Sequence, residues 1–236
     1  MCQKKANKVV ALILAAGLGS RMNSAVTKQR ILLCGKSILK RSVEAHVCCR
    51  FIDTVTVVCR DEEYDFVSSE LSGITEKPIS VVKGGNTRLE SARLGFESLT
   101  SDVDYVSIHD AARCLITPEK IEAVIAAAIS YGAASAGVRV TDTVKMTDAE
   151  MRITSTVPRD RLWAAATPQV FSAELYRRAL SSLSGDESLV TDDNMLVENI
   201  GVMPVCVDTG KENIKITTPE DLAYAEFLIN RRNGEK

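Results

Sequence analysis

Val9-Val-Ala-Leu-Ile-Leu14 is an unbroken apolar run that ends in Ala15-Ala16-Gly17-Leu18-Gly19. A half-exposed strand would alternate apolar with polar residues. Six apolar residues in succession, closed by glycines, predict a central parallel strand covered on both faces. Similar runs recur at Thr54–Cys59, Ile79–Val82, Tyr105–His109, Ala133–Val140 and Val202–Val207. Amphipathic stretches of helical length lie between them, at Lys36–Val47, Leu89–Leu99 and Pro118–Ser130. Thr117-Pro118-Glu119 and Thr218-Pro219-Glu220-Asp221 read as helix starts, each with a threonine cap, proline at the first helical position and acids in the first turn. The alternation predicts an α/β fold with a mostly parallel central sheet. With no linker or repeat in view, one domain over residues 1–236 is expected.

One stretch interrupts the order. Val140–Lys145 and Ile153–Val157 are both β-branched and flank the polar segment Thr147–Arg152. They predict a β-hairpin arm over about residues 139–161, inserted into the α/β pattern. A lone hairpin is only marginally stable, so this one is expected to pack on something else, such as a second subunit.

Composition excludes several classes. Of 236 residues, 45% are hydrophobic and 25% charged, ordinary globular usage rather than disorder. No apolar run reaches the roughly 18 residues of a membrane helix, so no membrane partner is expected. Aromatics make up 5%, with Trp163 the single tryptophan, and the formal charge is −2, which argues against nucleic-acid binding. The charge is uneven: residues 1–50 hold ten Lys and Arg against one acid, Glu44. A basic segment on an acidic body marks either an anionic-ligand site or a solvated face with a basic tail. The seven cysteines form no C-x-x-C pair, and His46 with Cys48 and Cys49 lacks zinc-site spacing. They read as reduced, mostly buried thiols of a cytoplasmic protein. Lys4, Lys5 and Lys8 before Val9–Leu18 imitate a signal peptide. Cleavage there would remove the best strand and its glycine turn, so a cytoplasmic location is expected.

Four segments carry candidate chemistry. Ala15-Ala-Gly-Leu-Gly-Ser-Arg21-Met begins like a dinucleotide fingerprint, but Met22 stands at the third glycine, and no G-K-[ST] closes it as a Walker loop. What remains is a glycine turn after a buried strand, with Arg21 and then Lys28 able to face phosphates. Gly84-Gly85-Asn86-Thr87-Arg88-Leu89-Glu90-Ser91 offers close backbone approach to a flat ligand, and Asn86 and Ser91 offer hydrogen-bond groups for a base edge. His109-Asp110-Ala-Ala-Arg113 puts an acid at the carboxyl end of a strand, where open α/β sheets bind ligands. Asp110 suits Mg²⁺ bound together with phosphates, Arg113 suits a second anion, and His109 reads as structural. Lys215, in Asn213-Ile-Lys-Ile-Thr217, is expected on a short strand before a capped helix. Each segment alone also has a plain reading as a turn or a local ion pair.

Together these segments, with Leu162-Trp-x-x-x-Thr-Pro-Gln169 and Thr191-Asp-Asp193, run in one order from about residue 9 to 228. The set resembles the 2-C-methyl-D-erythritol 4-phosphate cytidylyltransferase family. The resemblance implies a Rossmann-like nucleotidyltransferase domain that joins CTP to methylerythritol phosphate and releases pyrophosphate, in non-mevalonate isoprenoid biosynthesis. It implies that Arg21, Lys28 and Lys215 are the catalytic cations, and that Ala15, Ala16, Gly17, Gly85, Asn86 and Ser91 bind CTP. Asp110 would sit by CTP and Mg²⁺. Arg113, Thr143, Arg159 and Thr167, with Lys215, would hold the sugar phosphate. Thr143 and Arg159 lie on the arm, which in this family crosses to the partner of a homodimer. Two positions depart from the family pattern: Thr27 stands where proline is common, and Asn86 where aspartate is frequent. Ribitol-5-phosphate cytidylyltransferase is a related alternative, from which Trp163 and the Thr191-Asp-Asp run differ. A nucleotide sensor on the same fold would lack turnover.

Overall fold

All six side chains of the first strand, β1 (Val9–Leu14), are buried, and they feed two separate cores. Val9, Ala11 and Ile13 join one, while Val10, Leu12 and Leu14 join the other. Successive strand residues point to opposite faces, so only a strand with helices on both sides needs an unbroken apolar run. A computed structural model describes residues 7–17, 27–184 and 187–234.

After β1 come β2 (Leu32–Leu33), β3 (Lys36–Ser37), α1 (Ile38–Val47), β4 (Thr54–Cys59), α2 (Tyr64–Leu71), β5 (Ile79–Lys83), α3 (Arg88–Glu97) and β6 (Tyr105–Asp110). The second half comprises α4 (Pro118–Tyr131), β7 (Ala133–Arg139), β8 (Val144–Thr147), β9 (Ile153–Val157), β10 (Trp163–Ser172), α5 (Ala173–Ser181), α6 (Asp193–Glu198), β11 (Val205–Asp208) and α7 (Pro219–Asn233). The main sheet has the order β11-β7-β10-β6-β1-β4-β5. Its neighbours are parallel except that β10 runs antiparallel to both β6 and β7. Helices α1, α2 and α4 cover one face, and α3, α5 and α6 the other. A third, smaller cluster packs α7 through Ala225, Leu228 and Ile229 against Leu33, Ile38 and Leu115.

The exception has a topological cause. β7 leads into the arm, β8 and β9 pair only with each other among the described residues, and the chain returns directly beside β7 as β10. A direct return makes antiparallel neighbours, whereas parallel ones need a crossover. The arm's Met146, Met151 and Ile153 are all exposed, Met151 by 81%.

Several boundaries differ from expectation. Lys36 and Ser37 pair with β2 around a turn whose Cys34 and Gly35 both have positive φ, so the helix begins at Ile38 with Ser37 as its cap. Thr117 stands at the cap position of α4 without a side-chain cap bond, whereas Thr218 and Asp221 form a full capping box on α7. The last strand begins at Val205, and Lys215 lies in an irregular segment rather than a strand. Of the six described cysteines, Cys49, Cys59 and Cys114 are buried but Cys34, Cys48 and Cys206 are exposed. No described helix is long and apolar enough to cross a membrane.

Helix α3 lies so close to the sheet that a Cβ on Gly95 would meet Val58 Cγ2 at 2.6 Å. Overpacking costs about 1–3 kcal/mol, against a helix-propensity gain of about 1 kcal/mol for alanine. Gly95→Ala should therefore lower the urea midpoint, by a net loss of about 1 kcal/mol. Gly73, which faces open space, is the control: Gly73→Ala should hold or raise the midpoint.

Candidate active site

The strand order reverses at β1, with β4 and β5 on one side and β6 on the other, which opens a crevice at the carboxyl ends of these strands. A cavity of about 580 Å³ occupies it. Ala16, Gly17, Lys28, Gly85, Asn86, Ser91, Asp110 and Lys215 all line it, so eight of the candidate residues converge there. Ala15 is buried beneath, its N–H donating to the Val58 carbonyl at 2.7 Å. Arg21 lies outside the described residues.

Lys28 opens a single 3₁₀ turn, Lys28–Arg30, which is tied down on both sides. The buried Gln29 amide donates to the carbonyls of Ala15 and Gly17 at the end of β1. Thr27 Oγ1 and Arg30 Nε donate to the Glu63 carboxylate at 3.1 and 2.8 Å. Thr27 has φ −64°, the value a proline ring would impose. The hydrogen bond to Glu63 holds Thr27 in that conformation.

In the second loop, Ser91 Oγ accepts from the Gly85 N–H at 3.1 Å, and the Glu90 carboxylate accepts from the Asn86 N–H at 2.6 Å. A Cβ on Gly85 would fall 2.2 Å from the Glu90 side chain. The glycine here makes room for Glu90 to fold back, and the hydroxyl of Ser91 holds the loop. Thr87 caps α3 by accepting from the Glu90 N–H at 3.0 Å.

Asp110, at the end of β6, forms the floor. Its two oxygens accept from Arg88 Nε at 3.1 Å and Lys215 Nζ at 2.7 Å. Arg88 also reaches Asp193, which is fully buried, at 2.7 Å, and Asp193 accepts from the Tyr176 hydroxyl at 2.7 Å. Desolvation pushes the Asp110 carboxyl up, but the charges of Arg88 and Lys215 outweigh it and hold the group well below the usual carboxylate range. Desolvation likewise opposes the Arg88 charge, and Asp193 and Asp110 reverse it. Both groups are ionised at neutral pH.

Behind the floor, Thr167 is buried, with its hydroxyl 3.0 Å from the Asp110 N–H and 3.1 Å from His109 Nδ1. Arg113 Nη1 donates to the Asn213 carbonyl at 2.9 Å. Thr167, Arg113, Thr143 and Arg159 do not line the cavity. Thr143 and Arg159 are exposed at the base of the arm, where Arg159 donates to the Thr141 carbonyl at 2.6 Å.

Sequence reading gave no role to Arg88, Asp193 or Glu63. Arg88 had a signal, its fixed place between the double glycine and Ser91, and Asp193 had one in the Thr191-Asp-Asp run. Glu63 had none, because its partners are more than 30 positions away.

Comparison with known proteins shows which family the chain resembles over most of its length. The family model described as 2-C-methyl-D-erythritol 4-phosphate cytidylyltransferase matches residues 9–231. Proteins of that name from Caldanaerobacter subterraneus subsp. tengcongensis and Pelotomaculum thermopropionicum are 39% and 38% identical over 225 and 232 residues. The first alignment covers 94% of this chain and 99% of the relative, the second 97% of each. The crystal structure of 4-diphosphocytidyl-2C-methyl-D-erythritol synthase from Anaerococcus prevotii superposes with a TM-score of 0.86 at 28% identity, covering 96% of this chain and all of that one.

The ionic network is testable by unfolding. Arg88→Ala leaves Asp193 buried without its cation and should cost about 3–5 kcal/mol. Tyr176→Phe removes one bond to a charged acceptor and should cost about 1.5–3 kcal/mol. Equal losses would show that Arg88 is not the principal partner. A carboxyl with a depressed folded pKa stabilises the fold above its unfolded value of about 4 and loses that contribution as pH falls further. The stability of the parent should therefore fall below about pH 4 by an increment that Asp110→Asn lacks.

Proposed function

The chain belongs to the 2-C-methyl-D-erythritol 4-phosphate cytidylyltransferase family, and from that membership we propose that it transfers CMP from CTP to 2-C-methyl-D-erythritol 4-phosphate in the non-mevalonate route to isoprenoids. The products are 4-diphosphocytidyl-2-C-methyl-D-erythritol and pyrophosphate. The observation that carries the reading is the convergence of Lys28, Lys215 and the Arg88–Asp110 pair on one cavity beside a glycine loop.

In the proposed reaction, a phosphate oxygen of the sugar phosphate attacks the α-phosphorus of CTP. The bond from that phosphorus to the bridging oxygen breaks, and pyrophosphate leaves with its electron pair. A phosphate monoester is already an adequate nucleophile near neutral pH, its second pKa being about 6. The protein has to bring two anions together and neutralise the charge that builds up between them. Lys28 and Lys215, with Arg21, are assigned to that task. Ala15, Ala16, Gly17, Gly85, Asn86 and Ser91 are assigned to the cytidine, the last through the loop it holds. Arg113, with Thr167 behind it, is assigned to the sugar phosphate.

The residues also fit a divalent ion. Each Asp110 oxygen accepts one side-chain hydrogen bond and has a lone pair to spare, and the residue lines the cavity as a carboxylate ionised at neutral pH. Among the described residues no group of three or more His, Cys, Asp or Glu is arranged to hold a metal alone. That pattern suits Mg²⁺, which takes one or two carboxylates and finds its other ligands in phosphates and water. Bound there, it would neutralise charge on the phosphates.

The exposed arm supports a homodimer in which Thr143 and Arg159 of one chain serve the site of the other. Six described thiols without a disulfide support the cytoplasm as its compartment.

The direct test offers CTP and Mg²⁺ with methylerythritol phosphate or ribitol 5-phosphate and follows pyrophosphate. Release with the first substrate alone is expected. Faster turnover of ribitol 5-phosphate would overturn the assignment, and binding without turnover would make the chain a sensor. Arg21→Ala, Lys28→Ala and Lys215→Ala should each lower kcat by about 10²-fold or more, whereas a change in KM alone would mean ground-state binding only. For the shared site, inactive Arg159→Ala and Lys28→Ala chains are mixed and allowed to exchange subunits. Composite sites predict recovered activity, because one site of each heterodimer carries neither lesion. A mixture that stays inactive after exchange would mean that each site draws both residues from a single chain.

A further inference from the structure

His109 reads from sequence as a structural residue, yet it stands between three of the groups assigned to the reaction. Its ring is fully buried and lies tilted against that of His46, the only other histidine, with centroids 4.5 Å apart. Nε2 lies 3.3 Å from the Arg113 carbonyl and Nδ1 lies 3.1 Å from Thr167 Oγ1. A carbonyl only accepts, so the ring proton belongs on Nε2. The ring is fully buried and its nitrogens face only a carbonyl and a hydroxyl, so a charge on it would have no carboxylate bonded to it; the neutral ring leaves Nδ1 as an acceptor. The Thr167 hydroxyl must then donate to Nδ1, and its oxygen accepts from the Asp110 N–H. The direction of every bond follows from one carbonyl.

These bonds close into a ring. Arg113 Nη1 donates to the Asn213 carbonyl and Asn213 Nδ2 to the Thr167 carbonyl, both at 2.9 Å. Two residues beyond Asn213, Lys215 grips Asp110. Residue 167 lies opposite residue 110 in the β6–β10 register, which pairs Gln169 with Ile108. There the Thr167 side chain takes the Asp110 N–H, in the stretch where the ladder of β10 with β7 shifts register.

We propose that His109 is a positioning residue that, as its Nε2–H tautomer, accepts a hydrogen bond from the Thr167 hydroxyl and locks Asp110 and Arg113 against β10. It follows that Thr167 serves the reaction through this ring and does not donate to the sugar phosphate. Its one proton is already committed, and the residue is only 4% exposed. The kinetic part rests on the transferase reading above, but the tautomer does not.

The chain's two histidines make the test direct. Long-range ¹H–¹⁵N spectra of unliganded, ¹⁵N-histidine-labelled protein, assigned through the backbone, should show a protonated Nε2 and a bare Nδ1 at His109. His46 should show the reverse, because its Nδ1 faces the Ser42 carbonyl at 2.7 Å. Thr167→Val, which keeps shape and removes the hydroxyl, should shift the His109 Nδ1 resonance. It should lower kcat by about tenfold or more with both KM values nearly unchanged, as expected when alignment rather than binding is lost. Thr167→Ser should restore both signals. His109→Gln should reproduce the kcat loss, and combining it with Thr167→Val should add little. If the Gln variant does not fold, the spectra and the valine variant still decide. A protonated Nδ1 at His109 overturns the proposal, as does a Thr167→Val enzyme with intact kcat and a raised KM for the sugar phosphate. A parent that carries the expected tautomer but does not turn over methylerythritol phosphate would sink the substrate assignment and leave the hydrogen-bond ring standing.

Discussion

Asp110 lies between Arg88 and Lys215, and Arg88 is anchored in turn by the fully buried Asp193. Four charges from four parts of the chain meet here: the start of α3, the end of β6, the start of α6 and the segment before α7. Formally they cancel. Buried charges are costly unless paired and hydrogen-bonded, so this network permits little rearrangement of the elements that supply it. Tyr176 accounts for one more Asp193 lone pair, and Gln169 accepts from the Asp193 and Asn194 N–H groups at 3.0 and 3.2 Å, which fixes α6 on the sheet. The site therefore has a rigid floor before any substrate arrives, the condition under which electrostatic stabilisation needs no reorganisation.

The two loops above that floor are restrained by different means. Gln29 ties the Lys28 turn to carbonyls at the end of β1, and Glu63 holds it through Thr27 and Arg30. In the glycine loop, Ser91 and Glu90 from the first turn of α3 take the backbone N–H groups of Gly85 and Asn86. Loops with their amides bound internally present carbonyls and side chains to a ligand more than free N–H groups.

The arm stands outside this economy of internal bonds. Its strands pair with each other, and its apolar Met146, Met151 and Ile153 face outward. At its root, Arg139 lies over the Trp163 ring at 4.8 Å and pairs with that residue across β7 and β10. Anchored at its base, the arm pairs with no other strand along its length among the described residues, and a hairpin by itself is only marginally stable.

The order of strands and helices was legible because burial on both faces imposes an apolar run on β1 and amphipathic periods on its helices. The arm was legible from β-branched residues in the wrong place. Asp110 was legible because it closes a strand, where open α/β sheets bind ligands, and family resemblance joined Lys28 and Lys215 to it. Other features were decided by tertiary structure alone. β10 is antiparallel because the chain returns directly from the arm. Lys215 has no strand because its segment is held by side chains, Asn213 to Thr167 and Lys215 to Asp110, rather than by a ladder. Arg88 meets Asp193 across 105 positions and Glu63 meets Thr27 across 36. Local sequence encodes periodicity and turn chemistry, which act over a few residues. Ion pairs and hydrogen bonds between distant segments depend on where the folded sheet places their ends, so the partners of Asp110, Thr27 and His109 could be read only from the assembled chain.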